Sequence, residues 1–255
     1  MYLVDYHVHF LGHGHHRQEP AEISRYLETA IGRGIREIGA ADHDRYRDQY
    51  HWETMRETAS GFKDISLRLG IEIEYRPPDE DRLRSLIAGL PDPDYVIGSV
   101  HFLGDWNFDH PAERDQYQAW DPTELYREYF RVVAQAARTG LFQIVGHLDL
   151  IKIYGVRPPG PVAPLAEEAL EAIAAAGLVI ELNAAGLHKP VQEIYPSLEL
   201  LQACHRRGIP ITLSSDAHHP EEAGRDVDRA ATLAWEAGYR QVAAFRGRER
   251  FFHPL

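Results

Sequence analysis

Cysteine is almost missing from this chain: Cys204 stands alone among 255 residues. A single thiol builds neither a disulfide framework nor a cysteine metal cage, so the sequence reads as a protein of a reducing, cytoplasmic compartment. The chain also lacks an apolar run near the ~20 residues that cross a bilayer, and its N-terminus has neither the charged start nor the apolar stretch of a signal peptide. No membrane partner is expected. Positive charge is in deficit too, since 27 Lys and Arg face 39 Asp and Glu for a formal charge of -12. Nucleic-acid backbones are held mainly by Lys and Arg, which argues against a nucleic-acid partner. Ser/Gly-rich linkers, low-complexity tracts and abrupt composition changes are absent, so one domain over residues 1–255 is the expectation. Nothing in the sequence signals a subunit number. The remaining composition, 44% hydrophobic and 26% charged, is that of a soluble globular protein.

Apolar runs of strand length alternate with segments of helical periodicity, the pattern of repeated β/α units. Strands are expected at 2–7, 35–41, 70–75, 95–100, 143–147, 178–183 and 210–215, with a possible eighth at 241–245. Apolar stripes mark the helices between them: Ile23, Leu27, Ala30 and Ile31; Leu125, Tyr129, Val132, Val133 and Ala136; Leu165, Ala169, Ala172, Ile173 and Ala176; Val227, Ala230, Ala231 and Ala234. These stripes are core positions, and Cys204 belongs to another packed helical segment. Seven or eight such units predict an α/β fold that closes into a TIM-like barrel. The Pro-rich piece 157–164 fits a single loop. The polar, aromatic stretch 102–121 has no clear periodicity, and its place directly after His101 makes it a candidate lid.

Against this frame the 15 histidines are not scattered. Val4-Asp5-Tyr6-His7-Val8-His9, Ala41-Asp42-His43, Gly70-Ile71-Glu72, Ser99-Val100-His101, Gly146-His147 and Ser215-Asp216-Ala217-His218 each fall where a strand should meet a loop. In a closed barrel those ends converge. His7 and His9 share a face because side chains on an extended chain alternate. Imidazoles mixed with carboxylates suit Zn, Mn or Fe. A single catalytic zinc uses about three protein ligands, and the supply here is larger, so two or three divalent metal ions are implied. Clustered divalent ions activate water and neutralise charge on attacking and leaving oxygens, which makes phosphoester hydrolysis the natural chemistry. Asp42 has two readings, orienting His43 or capping the next turn.

In their order and spacing these motifs resemble the polymerase and histidinol phosphatase (PHP) superfamily of metal-dependent phosphoesterases, and the match covers the whole chain. The resemblance implies a distorted seven-stranded (β/α) barrel with a trinuclear site at the C-terminal ends of its strands. It further implies that His7, His9, Glu72 and Asp216 hold the first metal, Glu72, His101 and His147 the second, and His15, His43 and His218 the third. Glu72 is chosen from the family pattern Gly-x-Glu, with Glu74, on the same strand face, as the alternative. His15 is chosen by its distance from His9, with His13 and His16 as competitors.

Tyr95 to Gly104, Gly146-His-Leu-Asp-Leu, Asn183-Ala-Ala-Gly-Leu and Ser214-Ser-Asp-Ala-His look like the monofunctional histidinol-phosphate phosphatases of histidine biosynthesis. That implies removal of phosphate from L-histidinol phosphate, a small-molecule phosphomonoester. Another phosphomonoester or nucleotide is the alternative substrate, and a non-catalytic metal-binding module the remaining one. A phosphate ester needs cations beyond the metals, and Arg157 is the preferred clamp, with Lys152 and Lys189 as further candidates. His188 stands where the family often has Arg. Trp106, Asp109 and His110 in the candidate lid offer contacts to the imidazole and amine. The expected catalytic set is Asp216, His218 and Arg157, with His218 a candidate acid for the leaving alkoxide.

Overall fold

The computed structural model describes residues 1–255. Its elements, in chain order, are β1 (Leu3–Val8), α1 (Pro20–Gly32), β2 (Ile35–Ala40), α2 (Trp52–Ser60), β3 (Ser66–Glu74), α3 (Glu80–Ala88), β4 (Tyr95–Ser99), β5 (Phe102–Leu103), β6 (Trp106–Asn107), α4 (Pro122–Arg138), β7 (Ile144–Val145), α5 (Glu167–Ala176), β8 (Val179–Asn183), α6 (Leu198–Arg206), β9 (Ile211–Ser214), α7 (Val227–Glu236), β10 (Gln241–Arg246) and β11 (Glu249–Pro254). Seven strands form one sheet in the order β1-β2-β3-β4-β7-β8-β9, and every neighbouring pair is parallel. The edges nearly meet: Val8 bridges Ala217 in parallel, and the His9 amide donates to the Ala217 carbonyl at 2.8 Å. This is the α/β barrel that the alternating pattern predicts, nearly closed and with the seven strands that the family resemblance implies.

The apolar stripes bury as the periodicity requires. α1 buries Ile23, Tyr26, Leu27 and Ala30. α4 buries Leu125, Tyr129, Val132, Val133 and Ala136 among others, and it starts sharply because the Asp121 carboxylate accepts from Thr123 N (2.9 Å) and Glu124 N (3.1 Å), with Pro122 at its first position. In α5 the buried face includes Leu170 while Ala176 is exposed, because the helix ends at Gly177, whose φ of 66° is left-handed. Together with the strand interiors these faces form one core cluster of 79 buried residues. No helix is long and apolar enough to cross a membrane.

Two expectations change. The possible eighth barrel strand, β10, instead pairs antiparallel with β11. Between them Gly247 (φ 56°) and Arg248 (φ 67°) turn the chain straight back, the left-handed two-residue connection that favours a hairpin. The stretch 102–121 is a packed insertion rather than an irregular loop. β5 and β6 pair antiparallel, a 3-10 helix follows at Pro111–Ala119, and Trp106, Phe108 and Tyr117 are buried. Tyr117 donates its hydroxyl to the Ile151 carbonyl at 3.1 Å, and Tyr154 donates to the Asp109 carbonyl at 2.7 Å, tying the insertion to the barrel rim.

Candidate metal centre

Parallel strands around a barrel end on one face, and that shared direction brings together residues far apart in sequence. His7 lies in β1 and His9 just past it, Glu72 and Glu74 close β3, His101 and His147 follow β4 and β7, and Asp216 and His218 follow β9. Glu72 is at the centre and fully buried. Its Oε2 faces His7 Nε2 (3.4 Å), His9 Nε2 (3.7 Å) and His43 Nδ1 (2.7 Å). Its Oε1 faces His147 Nε2 (3.2 Å) and His101 Nε2 (3.6 Å). Asp216 Oδ1 closes the first group at 3.2 Å from His9 Nε2 and 4.0 Å from His7 Nε2. A left-handed φ of 52° at Asp216, which Asp tolerates better than most residues, turns the chain there right after β9.

Three groups of donor atoms lie close enough to grip an ion: His7, His9 and Glu72; Glu72, His101 and His147; and His9, His43 and His218. His7 Nε2 and Glu72 Oε2 are buried and have no hydrogen-bond partner, although they lie 3.4 Å apart. Buried polar atoms left in this state are costly unless a proton or a cation lies between them. The electrostatics favour a cation. Burial alone would raise the carboxyl of Glu72, but the imidazoles of His43, His7 and His101 hold it well below the usual range. Asp216 is likewise held low against its own burial, chiefly by His7 and His9. Burial and neighbouring imidazoles push His9 well below the ordinary imidazole value and His13 down to about 3. Neutral imidazoles and ionised carboxylates are the forms that ligate metals, and the protons that the carboxylates hold on His7, raised well above its ordinary value, and on His101, raised to about 10, are those a cation would displace. The donor set therefore fits divalent ions.

The third group differs from the expected one. His13, not His15, meets His43 and His218, with Nε2–Nε2 separations of 3.2 and 2.9 Å. A tight turn at Gly12–Gly14 with His13 at φ 58° brings that ring to His43 and His218, although His13 and His15 are both exposed residues. A Cβ at Gly12 would come within 2.5 Å of the His218 carbonyl, so the turn needs glycine. His16 is engaged elsewhere, 3.1 Å from Glu22. Glu74 does not reach the centre but holds His101, with Oε2 2.6 Å from Nδ1 and Oε1 3.1 Å from the amide. Asp42 does neither job expected of it. It accepts from Leu11 N (2.7 Å) and Gln18 Nε2 (3.0 Å), fixing the loop that carries His13.

Sequence reasoning missed Glu181. From β8 it accepts from His7 Nδ1 at 2.7 Å and from the His147 amide at 2.7 Å, and it takes the Ser214 hydroxyl. Asn183 joins Glu181 (3.2 Å) to Asp216 (3.1 Å). A signal was present in Val179-Ile-Glu-Leu-Asn183, because a carboxylate inside a fully buried strand must be partnered.

Above the cluster opens a cavity of about 450 Å³. Of the residues expected at a substrate, Lys189 and His110 line it, while Arg157, Lys152, His188 and Trp106 do not. Lys152 is fully buried, with Nζ 2.8 Å from the Ile194 carbonyl, 3.0 Å from Asp149 and 3.1 Å from Glu193. Arg157 pairs with Glu193, and His188 with Asp226 at 2.7 Å. Trp106 is packed inside the insertion and donates to the Glu113 carbonyl at 3.2 Å. The cavity instead presents Arg45 and Arg114 beside Lys189. Both guanidinium groups rest near aromatic rings, Tyr46 at 4.9 Å and Tyr154 at 5.8 Å.

Residues 5–185 match the model of the PHP domain, a span that holds most of the clustered ligands. The chain belongs to the PHP domain family. It is similar to a "Probable histidinol-phosphatase" of Deinococcus radiodurans, 38% identical over 97% of this chain and 98% of the relative. It is also similar to a "Histidinol-phosphatase" of Lactococcus lactis, 25% identical over 97% of this chain and 96% of that one. The fold matches a crystal structure of histidinol phosphate phosphatase from Lactococcus lactis complexed with zinc, L-histidinol and phosphate. The TM-score is 0.78 at 22% identity, over 97% of this chain and 98% of that chain.

Proposed function

We propose that this PHP protein hydrolyses L-histidinol phosphate to L-histidinol and phosphate at a site for two or three divalent metal ions. The observation that carries the reading is Glu72, one buried carboxylate whose two oxygens face two separate imidazole groups. A relative 38% identical over nearly its full length bears the name "Probable histidinol-phosphatase", which supports the substrate. His7, His9, Glu72 and Asp216 would hold one ion, Glu72, His101 and His147 a second, and His43, His218 and His13 a third. When bound, such ions supply Lewis acidity to water and to phosphoryl oxygens.

This chain's own residues do the rest. Glu181 and Glu74 fix the rings of His7 and His101 from behind. Lys189 and Arg45 line the cavity together with His13, His43 and His218, and there they would bind phosphoryl oxygens. Asp216 acts as ligand and His218 flanks the phosphoryl position, while Arg157, pointed at Glu193, is not needed in this account. The insertion at 102–121 walls the cavity and limits water at the reacting ester.

The test is phosphate release from L-histidinol phosphate beside sugar phosphates, nucleotides and a phosphodiester, with metal content measured on the same protein. Strong preference for L-histidinol phosphate at two or more metal equivalents is expected, and Glu72→Gln should lose both metal and activity. Preference for another phosphomonoester would overturn the substrate, and one equivalent or fewer with full activity would overturn the multinuclear site.

A further inference from the structure

Two histidines beside the cluster belong to none of its three groups. His16 lies three residues past His13 on the same loop, and His219 directly follows His218. Both are therefore placed by the segments that build the third group. His16 Nε2 lies 3.4 Å from His219 Nδ1, and the two rings stand nearly at right angles, at 83° with centroids 5.5 Å apart. The His219 ring is exposed and has no partner besides His16.

The His16 ring is fixed by two neighbours. Glu22 of α1 places one carboxylate oxygen 3.1 Å from His16 Nδ1, and with the other it accepts from the Arg17 amide at 2.9 Å. A neutral His16 then keeps its proton on Nδ1 and aims the Nε2 lone pair at His219. The ring also packs on Gly12, where a Cβ would come within 2.5 Å of His16 Cδ2. A carboxylate behind Nδ1 with Nε2 left open is the arrangement that Glu181 gives His7 and Glu74 gives His101.

Distance separates a hydrogen bond from a shared ion here. A good hydrogen bond from N–H spans about 2.7–3.2 Å, and the 3.4 Å between these rings exceeds it. Two imidazole nitrogens bound at ~2.0–2.1 Å to one tetrahedral zinc stand roughly 3.3–3.4 Å apart. Within the cluster itself, His13 and His43 are separated by 3.2 Å. We propose that His16 and His219 bind a further zinc-like divalent ion at the protein surface, outside the three groups, with water filling its remaining positions. Imidazole ligands suit Zn, Cu or Ni. With two protein ligands and an open face, the site should hold its ion more weakly than the buried groups hold theirs.

Zinc itself is the probe. At free zinc high enough to fill the cluster, wild type should carry one equivalent more than His16→Gln and one more than His219→Gln. Glu72→Gln, which should empty the cluster, should keep that ion, so the count stands whether or not the cluster or the phosphatase reading fails. Carbethoxylation by diethyl pyrocarbonate, read residue by residue by peptide mass spectrometry, checks the same pair. Zinc should shield His16 in wild type and in Glu72→Gln but not in His219→Gln, because one ring alone does not retain the ion. Equal zinc content in wild type and both variants, or shielding of His16 that persists in His219→Gln, overturns the site and leaves two neighbouring imidazoles. Should His16→Gln disturb the fold through Gly12, His219→Gln carries the test, since its side chain is exposed.

Discussion

Glu181 shows how much of this site depends on residues that would touch neither metal nor substrate. Its carboxylate sets the ring of His7 through Nδ1 and holds the His147 backbone in place, so one side chain from β8 organises ligands from β1 and the loop after β7. Glu181→Gln keeps the shape but replaces a charged acceptor with an amide, and losses of ~10–100-fold in metal affinity and kcat/KM are expected with the fold retained. Metal titration and steady-state kinetics on one preparation check this; unaltered metal affinity would mean that His7 is held by packing alone. At this scale the sequence was legible where a motif lies at a strand end, because alternation puts His7 and His9 on one face and Glu72 and Glu74 on another, while the choice of Glu72 over Glu74 came from the family pattern Gly-x-Glu. It failed at His13 and His15, where counting residues cannot reveal a left-handed φ that brings the His13 ring to His43 and His218. It failed again at Lys152, since only tertiary contacts show that its charge is spent on Asp149 and Glu193.

Between elements, Tyr95 ties the barrel together. From β4 it crosses the interior and shares its one hydroxyl proton between the Tyr6 carbonyl of β1 at 2.8 Å and the Ala40 carbonyl of β2 at 3.0 Å. The ring occupies the space that glycine leaves in β3, where a Cβ at Gly70 would come within 2.5 Å of it. Tyr95→Phe keeps the ring and removes the one donor that these two buried carbonyls share, a cost of about 1–3 kcal/mol. Gly70→Ala overpacks the same spot and should cost about 1–3 kcal/mol as well. Because both act on one contact, the double variant should lose less than the sum, which denaturant unfolding can measure; strict additivity would refute the coupling. Strand and helix runs were readable from the sequence because each buries a periodic face. β10 was misplaced since its apolar run looks like a barrel strand, and only the two left-handed residues after it commit it to a hairpin.

For the molecule as a whole, the chain packs histidines and carboxylates into the mouth of an otherwise apolar barrel, and stability should depend on what neutralises them. In metal-free protein His101 is held at about 10, because the carboxylates of Glu74 and Glu72 outweigh burial. A group raised above its unfolded value stabilises fully below that value and loses the contribution as pH climbs through the folded one. His101 therefore gives the metal-free protein stability that wanes from about pH 6.5 to about 10. Asp42, pushed up to about 7 by burial, slopes the same way, its contribution complete below its unfolded value and gone by about pH 7. Metal binding reverses the trend, since imidazole ligands must be neutral and binding to the folded state adds RT ln(1 + [L]/Kd). The thermal midpoint of chelated protein should thus fall between pH 7 and 9, by about 2–4 °C for each kcal/mol lost, while that of metal-loaded protein holds or rises. Ligands come from strands around the whole barrel, so chelation should lower one cooperative transition rather than release a separate early one. Parallel pH slopes with and without metal would show that the cluster is neutralised by protons alone and would remove the physical ground for the metal site.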